Sequence, residues 1–374
     1  MIQKVEIQNF KSVHSLELEL GRLNVFIGEN GCGKTNILEA IAMGSAALEN
    51  KADNEFLKAR GIRMTDEQFM VSAFELNPPE EVSIRFENSY KKVFNCEIVW
   101  DEERVISLLS NDDIDLVSSE GFDFFEEFIL TSGKKRKKFH NAISSRQKFI
   151  EESHIAPFLI FSPENTYLRN FQEEGQILPL GIRGEGLFKH LAILFKEKPE
   201  DFVSIKKQLE IIDWFEDLDI PKDLWPYERR IAIKDRFLHP DLQFFDQRSS
   251  NEGFLYLMFY FTLFISKSTP GFFAIDNIDN ALNPKLCSKL IETLAKLVKE
   301  HQKQAIVTTH NPAILDGLDL DDDDQRLFVI YRNADGHTTA KRVLKKERLN
   351  GSAESVRLSE AFIRGYLGGI PKNF

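Results

Sequence analysis

Only three cysteines, Cys32, Cys96 and Cys287, occur in 374 residues. Their number and spacing fit neither a disulfide framework nor a zinc site, so a reducing cytoplasm is the expected compartment. A chain of this length buries a large core and needs no cross-links. Long apolar runs are scarce as well. The longest, Gly253 to Ile265, falls short of the roughly 20 residues that cross a bilayer, so it reads as a buried helix and no membrane span is expected. The opening Met1-Ile2-Gln3-Lys4 lacks a basic start followed by an apolar stretch, which argues against a secretory leader. Positive charge is in deficit: 48 Lys and Arg against 59 Asp and Glu leave a formal charge of −11. Nucleic acid wrapped over the whole surface is therefore disfavoured, leaving at most a local basic groove. The one concentrated basic run, Lys134 to Lys138, follows an acidic stretch from Asp101 to Glu127 and reads as a solvated loop rather than a phosphate contact. Internal repeats and sustained heptads are missing too, which excludes a solenoid and a long coiled-coil arm.

What is present is a strong alternation of elements. Val5, Ile7 and Phe10, then Leu16, Leu18 and Leu20, predict two half-buried strands joined by a turn. Leu23 to Ile27 is apolar throughout, as in a central strand covered on both faces, and ends at Gly28. From Thr35 the apolar positions Ile37, Leu38, Ile41 and Ala42 recur at helical spacing. Strand-like patterns return over 70–100 (Val71, Ala73, Phe74; Val82, Ile84, Phe86; Phe94, Ile98, Trp100), broken at Asn77-Pro78-Pro79. They suggest an antiparallel sheet beside the first unit. Between 101 and 244 the pattern turns mainly helical, with breaks at Gly133, Pro157, Pro179, Pro199, Pro221 and Pro240. From 245 onward come an apolar helix, a strand Gly271 to Ile275, a helix Pro284 to His301, a strand Ala305 to Thr308, and a hairpin of Leu327 to Arg332 with Thr338 to Val343 around Asp335-Gly336. The expected organisation is one discontinuous α/β core, 1–100 and 245–374, interrupted by a helical lobe over 101–244.

The chemistry is concentrated in Gly28-Glu29-Asn30-Gly31-Cys32-Gly33-Lys34-Thr35, which fits GxxxxGK[ST] between a buried strand and a helix. In a P-loop the glycines let the backbone approach phosphates, main-chain N–H groups and the helix N-terminus face the anion, Lys34 bridges the β- and γ-phosphates, and the Thr35 hydroxyl ligates Mg²⁺. Asn30, Gly31, Cys32, Gly33 and Asn36 belong to the same cradle. A second apolar run, Phe272 to Ile275, delivers Asp276 at its end, as a Walker B strand does for Mg²⁺; a strand-end cap is the plainer alternative. Beyond it stand Asn277-Ile278-Asp279-Asn280 and Thr308-Thr309-His310-Asn311-Pro312.

These segments resemble the ABC-type ATPases, and within them the branch that holds RecF, SMC heads and OLD-like predicted ATPases of bacterial antiviral systems. The resemblance rests on Asn9-Phe10-Lys11-Ser12, FIGENGCGKTNILEAI at 26–41, Ser250-Asn251-Glu252-Gly253, IDNIDNALNP at 275–284 and VTTHNPAILD at 307–316. Leu180-Gly181 and Gly184-Glu185-Gly186-Leu187 match more loosely. It implies an α/β P-loop NTPase fold, the ABC-ATPase head, with an antiparallel β subdomain and an inserted helical lobe. It also implies ATP and Mg²⁺ as ligands, with Asn9 and Lys11 near the nucleotide. Ser250, Asn251, Glu252 and Gly253 would form the signature loop that covers the ATP of a second copy, Asn280 to Asn283 the D-loop at the dimer seam, and His310 the switch histidine. The family's usual serine stands two places before the glycine, where this chain has Asn251. Phe161-Ser162-Pro163-Glu164 occupies the region of a Q-loop without its glutamine.

One departure sets the expected chemistry. The residue after the Walker B aspartate is usually glutamate, the group that takes a proton from the attacking water; here it is Asn277. An amide cannot accept that proton at neutral pH, and a positioned general base supplies about 10²–10⁴-fold in rate, so ATP is expected to bind normally and turn over slowly or conditionally. Asp279, two residues on, is the candidate replacement. With 64 residues beyond His310, no OLD-type nuclease domain is expected in this chain, and Asp321 to Asp324 reads as a solvated turn. The expected role is thus the ATPase subunit of a bacterial anti-phage defence complex, a head-to-tail dimer or higher oligomer controlling a separately encoded nuclease or toxin. A RecF-like DNA-repair ATPase and a non-hydrolysing ATP-dependent scaffold are the alternatives. Transport is disfavoured by the absence of a span.

Overall fold

Alternation in the first twenty residues places Val5, Ile7, Leu16 and Leu18 on one buried face, and β1 (Ile2–Phe10) pairs antiparallel with β2 (Val13–Glu19) in the register Val5↔Leu18, Ile7↔Leu16. A computed structural model describes residues 1–49, 51, 54–66, 69–74, 81–101, 104–111, 114–118, 144–171, 179–221, 229–239, 241–242, 244–344 and 356–369. β3 (Leu23–Ile27) leaves this first sheet and is buried at every position. β4 (Glu81–Asn88), β5 (Val93–Asp101), β6 (Arg104–Asn111) and β7 (Ile114–Ser118) complete a six-stranded antiparallel sheet in the order β2-β1-β4-β5-β6-β7.

The second sheet carries the site. It joins β3 to β8 (Ile160–Phe161), β12 (Phe272–Ile275), β13 (Gln304–Thr309), β14 (Gln325–Arg332) and β15 (Thr338–Val343) in the order β15-β14-β3-β13-β12-β8, with β14 and β13 both parallel to β3 and only β15 antiparallel. Its strands are apolar without alternation because both faces are covered. Phe26, Ala274, Ile306 and Phe328 face a core shared with the first sheet, whereas Val25, Ile275, Val307 and Val329 face a core built on the helices Glu252–Ile265 and Pro284–Glu300. The helix Lys34–Leu48 lies in the first of these cores with 13 of its 15 residues buried. A helix so nearly apolar all round is stable only when enclosed. The run Gly253 to Ile265 is likewise buried at every residue of its helix, and no helix among the described residues is long and apolar enough to cross a membrane.

Residues 101–244 are more mixed than their periodicity suggests. Helices over 144–153, Asn165–Asn170, Leu187–Glu197 and Pro199–Leu209 supply the helical part, but β6 and β7 extend the first sheet, β8 joins the second, and β9 (Phe215–Asp219) and β10 (Ala232–Asp235) pair with β11 (Phe245–Asp246) in a small third sheet. Strands of two to five residues are too short to display a period between helices, which is why the pattern hides them. The strand expected around Val71 to Phe74 reduces to one bridge, Phe10↔Val71. Asn77-Pro78-Pro79 and Lys134 to Lys138 lie outside the described residues. Asp321 to Asp324 is a turn with Asp321 and Asp323 exposed, as expected, while Asp322 meets Lys299 at 2.7 Å and Asp324 lies within 3.8 Å of Arg22.

The junction of Leu187–Glu197 with the core gives the fold a pH limit. His190 is buried, with Nε2 2.8 Å from Ser266 Oγ, and burial above all, helped by Lys198 and Lys303, lowers its pKa to about 4. The unfolded chain takes up that proton below about pH 6.5 and the folded chain does not until about 4, so stability falls as pH falls through this window. Between pH 7.5 and 5 the loss from this group is about 2 kcal/mol. Urea titrations at the two pH values should show a smaller drop in midpoint for His190→Gln than for the parent.

Candidate functional site

The loop after β3 is shaped by what surrounds it. A Cβ at Gly28 would lie 2.1 Å from Ile330 O, and one at Gly33, where φ is 106°, would lie 2.0 Å from Thr338 Oγ1. Both positions accept only hydrogen, because β14 and β15 form the loop's outer wall. Gly31, at φ 75°, has open space around it and needs glycine for its dihedral alone. A hydrogen-bond chain fixes the wall: Asn36 Nδ2 donates to Ser12 Oγ at 2.6 Å, the Ser12 and Thr338 hydroxyls are 2.7 Å apart, and Thr338 Oγ1 donates to Cys32 O at 2.9 Å. Arg332 Nε donates to Gly31 O at 2.9 Å from the other side. The helix that starts at Lys34 has no acidic residue in its first turn, so its positive end is left for an anion.

Parallel pairing of β12 with β13 (Ile275↔Val307) brings two strand ends beside that loop. Thr35 Oγ1 donates to Asp276 Oδ2 at 3.0 Å, while the Thr308 hydroxyl donates to Asp276 Oδ1 and accepts from Asn277 N at 2.9 Å. Lys34 Nζ donates to Gly28 O at 2.8 Å and Glu29 O at 3.0 Å, and its pKa is lowered by burial. His310 follows β13, with Nδ1 3.5 Å from Lys34 Nζ. Burial first, then the Lys34 charge, lowers the imidazole's pKa, so it is neutral at pH 7. Asn30, Gly31, Gly33, Lys34, Thr35, Asn36, Asp276, Asn277 and His310 together line one cavity of about 340 Å³. A second cavity of about 400 Å³ shares Asn36, Arg63 and Arg332 with it and adds Lys11, Ser12, Phe69 and Phe74.

A family model described as "AAA domain, putative AbiEii toxin, Type IV TA system" matches residues 23–316, which hold both the phosphate loop and the strand ends facing it. The chain belongs to this family. Among curated proteins, the DNA replication and repair protein RecF of Halothermothrix orenii is 32% identical over 171 residues, 40% of this chain and 44% of that protein. An uncharacterized protein of Methanocaldococcus jannaschii, MJECL10, is 37% identical over 95 residues, covering 24% and 42%. The chain spans less than half the length of these curated relatives. Among solved structures, an SMC head bound to the C-winged helix domain of ScpA superposes with a TM-score of 0.56 at 18% identity, covering 92% of this chain and 99% of that one. An SMC head with an extended coiled coil, bound to the C-terminal domain of ScpA derived from Pyrococcus furiosus, gives 0.57 at 14%, covering 92% and 97%. The fold is the P-loop ABC-ATPase head.

Within this head the sequence-derived residues fall into two groups. Those of the phosphate loop, with Asp276, Asn277 and His310, converge as described, and Lys11 lines the adjoining cavity. Others stand apart. Asn9, at φ 62°, lines neither cavity; its carbonyl accepts from Ser72 N. Cys32 is buried in the loop, and burial raises its thiol pKa. Asp279 lines neither cavity, and its Oδ1 accepts from Thr309 Oγ1 at 2.6 Å. Ser250 to Gly253 begin the helix Glu252–Ile265 away from both cavities, with Asn251 accepting from Phe254 N as N-cap. Gly253 sits where a Cβ would come within 3.0 Å of Ala281 O, so the segments expected to be the signature loop and the D-loop pack on each other. Phe161 pairs with Ile275 and its carbonyl accepts from Asp276 N, which puts Ser162-Pro163-Glu164 at the same sheet edge as Asp276.

Sequence reasoning missed Arg63, Arg332 and Glu39. The fully buried Glu39 carboxylate receives Lys11 Nζ at 2.8 Å and Arg63 Nε at 2.7 Å, holding both cations at the cavity rim. Neither arginine belongs to a motif, and only Glu39, an acid on the buried face of an apolar helix, offered a signal.

Proposed function

We propose that the chain binds ATP with Mg²⁺ in the 340 Å³ cavity and that the nucleotide holds two copies head to tail, as the ATPase subunit of a bacterial anti-phage complex acting on a separately encoded effector. The observation that carries the nucleotide reading is the meeting of Thr35 Oγ1 with the Asp276 carboxylate at 3.0 Å, beside a buried lysine and a glycine cradle. A hydroxyl and a carboxylate are the hard oxygen donors Mg²⁺ selects, and Gly31, with open space where a Cβ would stand, leaves the main chain of the loop bare beside the buried lysine, so the residues present fit both ligands. Thr35 and Asp276 would hold Mg²⁺, which would supply positive charge to the phosphates. Lys34 and the main-chain N–H groups would bind the phosphates, with Arg63 and Arg332 lining the same cavity. His310 brings its imidazole to within 3.5 Å of Lys34 Nζ. Asn277 donates and accepts hydrogen bonds but holds no proton from water, and Asp279 is occupied by Thr309, so hydrolysis is slow in the resting arrangement.

Ser250 to Gly253 support the reading of a second copy. They line neither cavity in their own chain, and the exposed Asn251 caps a helix N-terminus there. The family's description as a putative toxin of a toxin–antitoxin system supports the defence reading, and the SMC heads solved with ScpA give a precedent for a head that works with a separate protein. Light scattering tests the assembly: mass should double on adding ATP and Mg²⁺ and stay doubled for many minutes, and an unchanged mass at saturating nucleotide refutes it. The RecF match over 171 residues favours a second reading, a DNA-repair ATPase. Duplex binding with a steep salt dependence and end-stimulated turnover would single that one out.

A further inference from the structure

Large exposed apolar side chains gather beside each half of the proposed composite site. Phe69 and Phe74 are 58% and 43% exposed on the cavity next to the phosphate loop. Arg332 ties that face to the loop, bonding Gly31 O while its guanidinium lies 5.9 Å from the Phe74 ring centre. The other gathering is the connection between β10 and β11, where Phe237 is 76% and Leu242 63% exposed, with Phe244 exposed behind them. The described residues of this connection are tied down. Phe237 N donates to Asp235 Oδ1 at 2.8 Å, Arg236 Nη2 donates to Phe215 O at 2.8 Å, and β10 pairs with β11 through Ile233↔Phe245. The apolar residues are thus held outward on a braced hairpin instead of folding back onto the core, a pattern that marks contact surfaces.

We propose that the Phe237–Leu242 tip of one copy docks on the Phe69–Phe74 face of a second copy, closing the outer side of the nucleotide cavity. The inference rests on the head-to-tail reading above. In a two-fold pair the surroundings of one copy's signature loop face the surroundings of the other's phosphate loop, and the contact is made twice. Arg236 N donates to Trp214 O at 3.0 Å, and the Trp214 ring lies 5.2 Å from that of Phe254 in the first turn of the helix Glu252–Ile265, so the base of the tip packs beside the start of the signature helix. Charge agrees with the pairing: Arg63 and Arg332 rim the aromatic face, and Asp241, its side chain 90% exposed, stands on the tip. An aromatic face with a cationic rim and an apolar tip carrying a carboxylate are complementary surfaces on one and the same chain, which makes a second copy the occupant.

The three native cysteines are all buried, so an added exposed pair reports cleanly. In a chain carrying Phe74→Cys and Phe237→Cys, ATP with Mg²⁺ should produce a covalent species of twice the chain mass on a non-reducing gel. Mixing two single-cysteine chains, one of each kind, should give the same species, and neither alone should. Independently, Phe237→Ser with Leu242→Ser should weaken ATP-dependent dimerisation at least tenfold while leaving nucleotide affinity of the monomer within about twofold. Both positions are exposed, so an unchanged thermal midpoint checks that the variant is folded. A parent that dimerises with ATP, yet shows no cross-link and no weakening in the serine variant, overturns the docking and leaves the ATP-sandwich reading intact. A parent that binds ATP and never dimerises overturns both.

Discussion

Lys34→Ala should lose roughly 10- to 100-fold in affinity for ATP with Mg²⁺, the span that corresponds to the removal of charged hydrogen bonds from a buried site. Lys34 is buried at the start of its helix, with Nζ over the carbonyls of Gly28 and Glu29, and among the described residues no other ammonium lines the cavity. Arg63 and Arg332 stand at the rim and leave the centre of the cradle uncompensated. The fold should survive, since alanine is the best helix former and the helix is held by its buried face rather than by this side chain. Isothermal titration of the two proteins measures the loss, and circular dichroism separates it from unfolding. Equal affinities would place the nucleotide elsewhere.

Asn277→Glu is the second large effect, in the opposite direction. The asparagine lines the cavity one residue beyond Asp276, where a carboxylate would meet the attacking water, and a general base there should raise single-turnover hydrolysis by about 10²–10⁴. The backbone resists the exchange. Asn277 has φ 56°, a left-handed conformation that asparagine tolerates through local hydrogen bonding and that costs other side chains about 1–2 kcal/mol. The variant should therefore melt a few degrees lower while cutting ATP faster, with binding little changed. Asp279→Ala, made alongside, should leave the parent's slow rate as it is, because Thr309 already engages that carboxylate. Brisk hydrolysis by the parent that survives both changes would end the account.

Much of the cradle was legible because its constraints are local. GENGCGKT between an apolar strand and a helix names its own geometry, and the structure adds only why Gly28 and Gly33 admit no side chain: Ile330 and Thr338, some 300 residues later, press against them. Asp276 and His310 were equally plain, each ending a short apolar strand of a sheet whose order places both strand ends beside the loop. What escaped depends on contacts that no periodicity records. Arg63 and Arg332 reach the cavity from an irregular segment and a strand end, and only the buried Glu39 explains why Arg63 is held there. The small β9-β10-β11 sheet escaped for a different reason: each strand is shorter than one cycle of evidence needed to tell alternation from a helical run.

The hydroxyl chain through Ser12 and Thr338 has a temporal meaning. Thr338 caps the Cys32 carbonyl across 306 residues of sequence, so the wall of the cradle is laid down long after the loop it supports. On a ribosome feeding out the chain from its amino end, the glycine loop emerges about 300 residues ahead of its outer support. A nascent chain that stops short of β15 thus has the lysine and the motif but no finished seat for a phosphate.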